Sequence, residues 1–192
     1  MRDMKEMDKS KMMPIGPMMI EHRLIERMIA VMRNELDRFL REKKADPQII
    51  TTFVDFVRTY ADRCHHGKEE DILFRELKKK ALSEEHRDTM NQLVKDHQWA
   101  RQQTRDLVNA TEKYGAGDED MFLIITARLN ALTEFYPQHI EKEDKHFFLP
   151  VMGYFSNEEK DAMLREGFEF DQSLIHDKYK QIVEQSERST AG

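Results

Sequence analysis

Histidine and glutamate recur at one spacing in two distant stretches of this 192-residue chain. His65 precedes Glu69 in "CHHGKEEDILF", and His139 precedes Glu143 in "HIEKEDKHFF". A four-residue spacing puts two side chains on one face of a helix, one turn apart. Imidazole and carboxylate together suit iron, zinc or manganese, so each pair predicts part of a metal site.

The two stretches repeat one pattern at an offset of 74 residues. His22 and His97 repeat at an offset of 75 residues, and each follows an acid, Glu21 and Asp96 respectively. These nearly equal offsets predict two helical hairpins related by a pseudo-two-fold axis.

Proline and capping residues indicate where the helices begin. Asp46 with Pro47 predicts the start of a second helix, Ser83 that of a third and Asp118 that of a fourth. The sequence "SNEE" from Ser156 matches a capping box and begins a fifth helix. No strand pattern competes, and the connections are short. The sequence therefore predicts an all-α fold, an up-down antiparallel four-helix bundle with an additional C-terminal helix.

The same signals set the expected domain limits. We expect a disordered N-terminal tail over residues 1–13, a helical bundle over 14–187 and a frayed C-terminus over 188–192. Within the bundle, the core spans 14–150 and the extra helix spans 156–187. The chain thus carries one domain, long enough to bury a core.

Four histidines are predicted to share one level of this bundle. In an antiparallel helix pair, two residues have the same height when they are equidistant from the turn. Midpoints between consecutive histidines fall near residues 43, 81 and 118, where breaker and capping residues indicate turns. Since a helix advances about 1.5 Å per residue, the four side chains lie at similar heights. They are His22, His65, His97 and His139.

Six polar side chains at one level of a core predict a metal site, because burying them without a metal would cost much free energy. Six ligands exceed the four that a tetrahedral metal takes, and the lack of thiolate partners argues against structural zinc. Two carboxylates from different helices can bridge two metals and leave coordination positions for a small ligand. The predicted ligands are His22, His65, Glu69, His97, His139 and Glu143.

A ferritin-like di-iron bundle is the main alternative, because it is built on Glu-x-x-His motifs. Glu143 and His146 match that motif, and the nearest second copy is Asp62 with His65. Their offset is 81 residues, seven more than the repeat, which corresponds to roughly 10 Å of helix. The His-x-x-x-Glu interpretation keeps the repeat and is preferred.

The motif set resembles the hemerythrin-like, HHE cation-binding domains over roughly Pro14 to Pro150. It comprises "IEH", "HHGKEEDILF", "KDH" and "HIEKEDKHFF" in that order. The resemblance implies a centre of two non-heme iron ions that the six predicted ligands bind, with Glu69 and Glu143 bridging. Oxygen-carrying hemerythrins have a fifth histidine four residues after the third-helix one, where this chain has Arg101. The set is closer to bacterial hemerythrin-like proteins, including the iron–sulfur cluster repair group.

Two neighbours of the ligands are further candidates. His66 is rotated about 100° around an α-helix from His65, so we expect it beside the site or at the surface rather than as a ligand. Tyr136 precedes Pro137 and lies three residues before His139. It is a candidate hydrogen-bond donor or ligand at the metals, with simple packing as the alternative. No catalytic residue is assigned.

The resemblance implies a di-iron protein that engages O₂, NO or peroxide as a sensor, scavenger or iron store. One alternative is an enzyme with peroxidase-like or catalase-like activity, which is the less favoured interpretation. Another is an iron donor for iron–sulfur cluster repair. The small diatomic molecule or peroxide is then the expected ligand, and the sequence indicates no particular protein partner.

Composition excludes several other functions. A net charge of −6 with no basic stripe argues against nucleic-acid binding. No apolar run approaches the roughly 20 residues of a membrane span, and the charged N-terminal stretch does not look like a signal peptide. A single cysteine cannot form an internal disulfide, which fits a reducing compartment. We therefore expect a cytoplasmic protein.

Overall fold

The structure, a computed structural model, describes residues 13–171 and 173–190, without the side chains of residues 173–175, 177 and 190. Those residues form helices and turns, with no strand among them. The helices are α1 (Ile15–Glu42), α2 (47–77), α3 (Glu84–Gly115), α4 (121–151), α5 (Asn157–Phe170) and α6 (Ser173–Thr190). A short 3₁₀ turn, Met152–Tyr154, follows α4. The predicted all-α fold is confirmed.

Side-chain caps begin three of the helices where the sequence predicts them. The Asp46 carboxylate accepts from the backbone N–H of Gln48 at 2.9 Å at the start of α2, and Ser83 caps α3. The capping box of Ser156 is formed at the start of α5. Asp118 was predicted to cap α4, and this prediction is wrong. The helix begins at Met121, whose backbone N–H donates to the backbone carbonyl of Asp118, and the Asp118 side chain does not cap the helix.

The predicted fifth helix is divided into α5 and α6. Asp171 leaves helical geometry with φ −87° and ψ 95°, and its carboxylate accepts hydrogen bonds from Cys64 and Lys68 of α2. These contacts hold the chain against α2 at the point where one helix was expected. Gly67 allows this approach, because a Cβ there would lie 2.9 Å from the ring of Phe170.

Helix α6 continues through Thr190 and so includes residues 188–190 of the predicted frayed C-terminus, and the fraying itself stays a prediction. Residues 191–192 and residues 1–12 of the predicted N-terminal tail lie outside the described residues. The other predicted domain limits stay predictions.

Three π-helical segments interrupt the α-helices at the two repeated motifs. They are Val57–His66 and Glu69–Phe74 in α2, and Glu143–Phe147 in α4. A π-helix has more residues per turn than an α-helix, and π-turns occur frequently at functional sites. Both copies of the repeated motif therefore also share a π-helical distortion of the backbone.

Two apolar clusters lie on either side of the repeated motifs. The first cluster includes Ile25, Phe39, Phe53 and Leu129, and the second includes Ile15, Phe74, Leu93 and Phe147. Along α1 and α3 the buried residues pass from the second cluster to the first, and along α2 and α4 they pass from the first to the second. Each helix changes cluster at its candidate histidine or glutamate ligands, so those polar residues occupy the layer between the clusters.

Helices α1 and α3 both pack against α4, and α2 packs against α1 and α3. Helix α6 packs on α1 and α2, and α5 packs on α2. No helix in the described part of the chain is both long and apolar enough to cross a membrane.

Candidate metal centre

The polar layer between the apolar clusters brings together all six residues predicted as ligands. Each of them is at most 2% exposed: His22, His65, Glu69, His97, His139 and Glu143. They come from four helices, and the site is closed on both sides by apolar side chains. The height argument from the turns thus predicts residues that do meet in space.

Each glutamate lies between histidines of different helices. Glu69 places Oε1 3.4 Å from His65 Nε2 and Oε2 3.3 Å from His97 Nε2. A carboxylate with one oxygen toward each of two histidines can bridge two metal ions.

Glu143 repeats this arrangement. Its Oε2 lies 3.2 Å from His22 Nε2 and its Oε1 lies 3.2 Å from His139 Nε2. The two carboxylates therefore face the same pair of positions from opposite repeats of the sequence.

Two groups of potential ligand atoms result, each with its atoms within 4.8 Å of one another. The first position is formed by His22, His65, Glu69 and Glu143. The second position is formed by His66, Glu69, His97 and His139. Glu69 belongs to both, so the geometry offers two adjacent metal positions with a shared carboxylate.

His66 is the residue that sequence reasoning placed outside the ligand set. It is 1% exposed, and its ring stacks on that of His97 with centroids 3.9 Å apart. The prediction assumed 100° per residue, but His66 ends a π-helical segment. The smaller rotation per residue there lets His65 and His66 both face inward, one toward each position.

Every one of these five histidines has a carboxylate beside the nitrogen that faces away from the two positions. His22 Nδ1 lies 2.7 Å from Asp144, and His97 Nδ1 lies 2.7 Å from Glu70. Metal-bound histidines usually hold their second nitrogen in this way, which fixes the tautomer and the ring orientation.

The other three histidines also have a carboxylate beside Nδ1, at slightly longer distances. His65 Nδ1 lies 2.9 Å from Glu21, and His139 Nδ1 lies 3.5 Å from Asp96. His66 Nδ1 lies 3.4 Å from Asp62 one turn earlier in the same helix.

Four of these acids are sequence neighbours of candidate ligands. Each lies beside a histidine of another helix, and their positions follow the internal repeat. They are Glu21, Glu70, Asp96 and Asp144.

The layer contains buried polar atoms that no hydrogen bond of the described residues satisfies. Five are the Nε2 atoms of the histidines, and four are the oxygens of Glu69 and Glu143. Nine such atoms facing one another would be costly in a metal-free core. Cations bound by nitrogen and oxygen satisfy all of them, and the donor set is suited to iron, zinc or manganese. The residues present therefore fit the implied pair of metals.

The charges of the layer divide the histidines into two kinds when no metal is bound. Burial lowers the pKa of His22, but the adjacent carboxylates of Asp144 and Glu143 outweigh burial and raise this pKa to about 10. Burial is likewise outweighed at His97, whose pKa rises to about 11 through Glu143, Glu69 and Glu70.

For His65 and His66, burial outweighs the attraction of the nearby carboxylates. Burial and the nearby charged histidines lower their pKa values well below 6.5. Metal-free protein therefore carries protons at His22 and His97 that a metal must displace.

Arg101 occupies the place of the fifth histidine of oxygen-carrying hemerythrins, and it acts on the carboxylates instead. Its Nε donates to Asp62 at 2.7 Å and its Nη2 donates to Glu70 at 2.8 Å. These are the acids beside His66 and His97, so Arg101 orders the carboxylates of two histidines at the second position.

Tyr136 is close to the layer as predicted. It is 1% exposed, its ring stacks on His66 with centroids 6.3 Å apart, and its hydroxyl has no hydrogen-bond partner among the described residues. Pro137 lacks an N–H for the carbonyl of Thr133, and Arg33 donates to that carbonyl at 3.0 Å instead.

The fold does not bring together the residues that a ferritin-like site would need. Its motif needs Glu143 and His146 together, but Glu143 is buried and His146 is exposed. His86, another histidine near the same end, lies 2.8 Å from the Tyr154 hydroxyl and belongs to neither group of ligand atoms.

Comparison with known proteins agrees with this arrangement. A family model described as the hemerythrin HHE cation binding domain matches residues 13–149. No curated protein and no solved structure matches the chain. The matched region contains both candidate metal positions, and the two C-terminal helices lie beyond it.

Proposed function

The chain belongs to the hemerythrin HHE cation-binding family, and on that premise we propose that it is a non-heme di-iron protein. In this proposal the protein engages O₂, NO or peroxide at the metal pair, as a sensor, a scavenger or an iron store. Two bound iron ions would supply redox chemistry and open coordination positions. One observation carries the proposal: two groups of buried ligand atoms share Glu69, with Glu143 aligned across both.

The proposed ligand set is unequal between the two positions. His22 and His65 serve the first position, and His66, His97 and His139 serve the second. Glu69 and Glu143 bridge them. With two histidines against three, the first position has more room for a ligand from solvent.

The four helices that carry these ligands are proposed to form the predicted up-down antiparallel bundle. The support is the alternating order in which α1, α2, α3 and α4 pass between the two apolar clusters. This order sets one ligand-bearing turn of each helix at the same level. The clusters exclude bulk water from both sides of that level.

The proposal is tested by adding O₂, NO or peroxide to the reduced, iron-loaded protein under anaerobic conditions. We expect a spectral change with O₂ or NO that reverses when the gas is removed. The zinc-loaded protein is the matched control, because zinc has no redox chemistry and should give no change. No response to any of the three molecules would contradict the proposal. Rapid peroxide consumption would instead favour the enzyme alternative, and iron release would favour iron donation.

A further inference from the structure

A third group of potential metal ligands lies outside the polar layer, where the break between α5 and α6 meets α2. It consists of Cys64, Asp171 and His176, whose ligand atoms lie within 4.8 Å of one another. Cys64 Sγ is 2.8 Å from Asp171 Oδ1, and His176 Nε2 is 2.5 Å from Asp171 Oδ2. Three side chains from α2, the break and α6 therefore meet at one place.

The backbone at the break produces this meeting. Asp171 leaves helical geometry, so its carboxylate reaches α2, and α6 then begins at Ser173 and brings His176 beside it. Cys64 and His65 are neighbours in α2, but His65 Nε2 faces Glu69 of the polar layer while Cys64 Sγ faces Asp171. The third group is therefore separate from the two metal positions of the layer.

The surroundings of the group suit a bound metal ion. Cys64 is buried and Asp171 is half-buried, whereas the side chain of His176 is 30% exposed and leaves a way in from solvent. His176 Nδ1 lies 3.1 Å from the hydroxyl of the buried Tyr60. That hydroxyl can accept a hydrogen bond from Nδ1–H when Nε2 binds a metal, and such a partner fixes the orientation of a metal-bound imidazole.

The charges of the group match those of a divalent cation. Metal binding sends the thiol proton to solvent, so the Cys64 thiolate and the Asp171 carboxylate together supply two negative charges. Lys68 is the cation beside them, and it donates to Asp171 and also to Glu21. When a metal binds Asp171, the Lys68 ammonium keeps Glu21 as its partner.

We propose that Cys64, Asp171 and His176 form a mononuclear zinc site. Thiolate, imidazole and carboxylate are the ligand types with which proteins bind Zn²⁺, and a thiolate disfavours magnesium and calcium. Three protein ligands leave the fourth position of a tetrahedral ion to water, on the side where His176 is exposed. The zinc ion joins α2 to α6 across the break. This inference goes beyond the proposed function and does not depend on the iron pair.

Cobalt(II) is the probe for this site, because it replaces zinc in tetrahedral sites and a thiolate ligand gives it a charge-transfer absorption band. Cys64 is the only cysteine of the chain, so the band reports this group alone and cobalt in the polar layer does not produce it. Titration of the full-length protein without oxygen should develop the band up to about one cobalt ion per chain, and added zinc should remove it.

His176→Gln tests the geometry of the group. It should weaken cobalt binding about tenfold or more, because even the loss of a partner behind a metal ligand usually has an effect of that size. The matched control is His86→Gln, since His86 also has a tyrosine hydroxyl beside Nδ1 but belongs to none of the three groups. The control should bind cobalt like the unaltered protein.

Absence of the band in the unaltered protein would overturn the proposal. So would a cobalt affinity of His176→Gln equal to that of His86→Gln. The titration is made with and without prior iron loading, and iron content is measured in parallel. A thiolate band in a protein that holds no iron supports the zinc site and contradicts only the proposed function, whereas two iron ions without the band give the opposite result.

Discussion

At the scale of residues, the five inward histidines are positioned by carboxylates that lie outside the two groups of candidate ligand atoms. Each inward histidine meets an acid at Nδ1, and in four cases this acid is the sequence neighbour of a ligand on another helix. Paired positions such as Glu21 and Asp96 thus tie adjacent helices together while they aim the Nε2 atoms inward. Such partners usually contribute strongly to metal affinity.

His66→Ala tests the assignment of five histidines rather than four. The second position would lose one of its three histidines, so we expect metal content to fall from about two to about one ion per chain, because one ligand atom is missing there. Metal analysis after dialysis measures this directly. His97→Ala should give a similar loss, since His97 belongs to the same group.

His86→Ala is the matched control for that experiment, because His86 contacts Tyr154 and lies outside both groups. It should keep the metal content of the unaltered protein. Full metal content in His66→Ala would show that His66 is not a ligand and that the site has four histidines.

The meeting of the six predicted ligands at one level could be predicted from sequence because helix spacing and turn positions constrain them together. A repeat at 74 residues and three turns at known places leave little freedom for the heights of the histidines. His66 could not be found in this way, since a π-helical segment changes the rotation per residue without leaving a clear period in the sequence. Its signals were Asp62, one turn earlier, and the paired histidines themselves.

At the scale of elements, the break between α5 and α6 connects the C-terminal helices to the metal layer. Asp171, at the break, accepts hydrogen bonds from Lys68, which also donates to Glu21. Glu21 in turn lies beside His65 Nδ1. The break between the C-terminal helices therefore helps to position His65, one of the candidate ligands.

Lys68→Met should destabilise the metal-loaded protein by about 3–5 kcal/mol, the usual cost of breaking a buried ion pair. Lys68 is 3% exposed, and its removal takes away the only lysine ammonium that, among the described residues, pairs with the buried Glu21 and the half-buried Asp171. Chemical denaturation measures this free energy of unfolding.

Lys145→Met is the comparison for Lys68, because Lys145 pairs with Glu141 at the surface. Its effect on the free energy of unfolding should be much smaller, because exposed ion pairs contribute little to stability. Equal small effects of both substitutions would mean that the Lys68 network contributes little to stability.

The helix beginnings at Asp46, Ser83 and Ser156 could be predicted, since each depends on a local hydrogen bond to the backbone. The break at Asp171 could not, because it depends on contacts with residues more than 100 positions away. Local signals therefore located most of the helices but not the division of the last one.

At the scale of the whole molecule, the fold keeps a charged layer between two apolar clusters. The cost of that layer is largest in the metal-free protein, where His22 and His97 carry protons beside buried glutamates. Metal binding exchanges those protons for cations, so metal affinity and pH are linked.

Metal uptake at pH 7 should release at least two protons, including those of His22 and His97, because metal ligands must be deprotonated. Both pKa values, about 10 and about 11, lie above 7, so apparent affinity should rise with pH and fall as the solution becomes more acidic. Calorimetry in two buffers of different ionisation enthalpy counts the protons. A pH-independent affinity with no proton release would show that these histidines are neutral before metal binds.

The most direct test of the central claim is the metal content of the unaltered protein after anaerobic loading with iron and removal of loose metal. The shared carboxylates and five inward histidines predict about two iron ions per chain. One ion per chain, or none, would contradict a dinuclear centre at this layer.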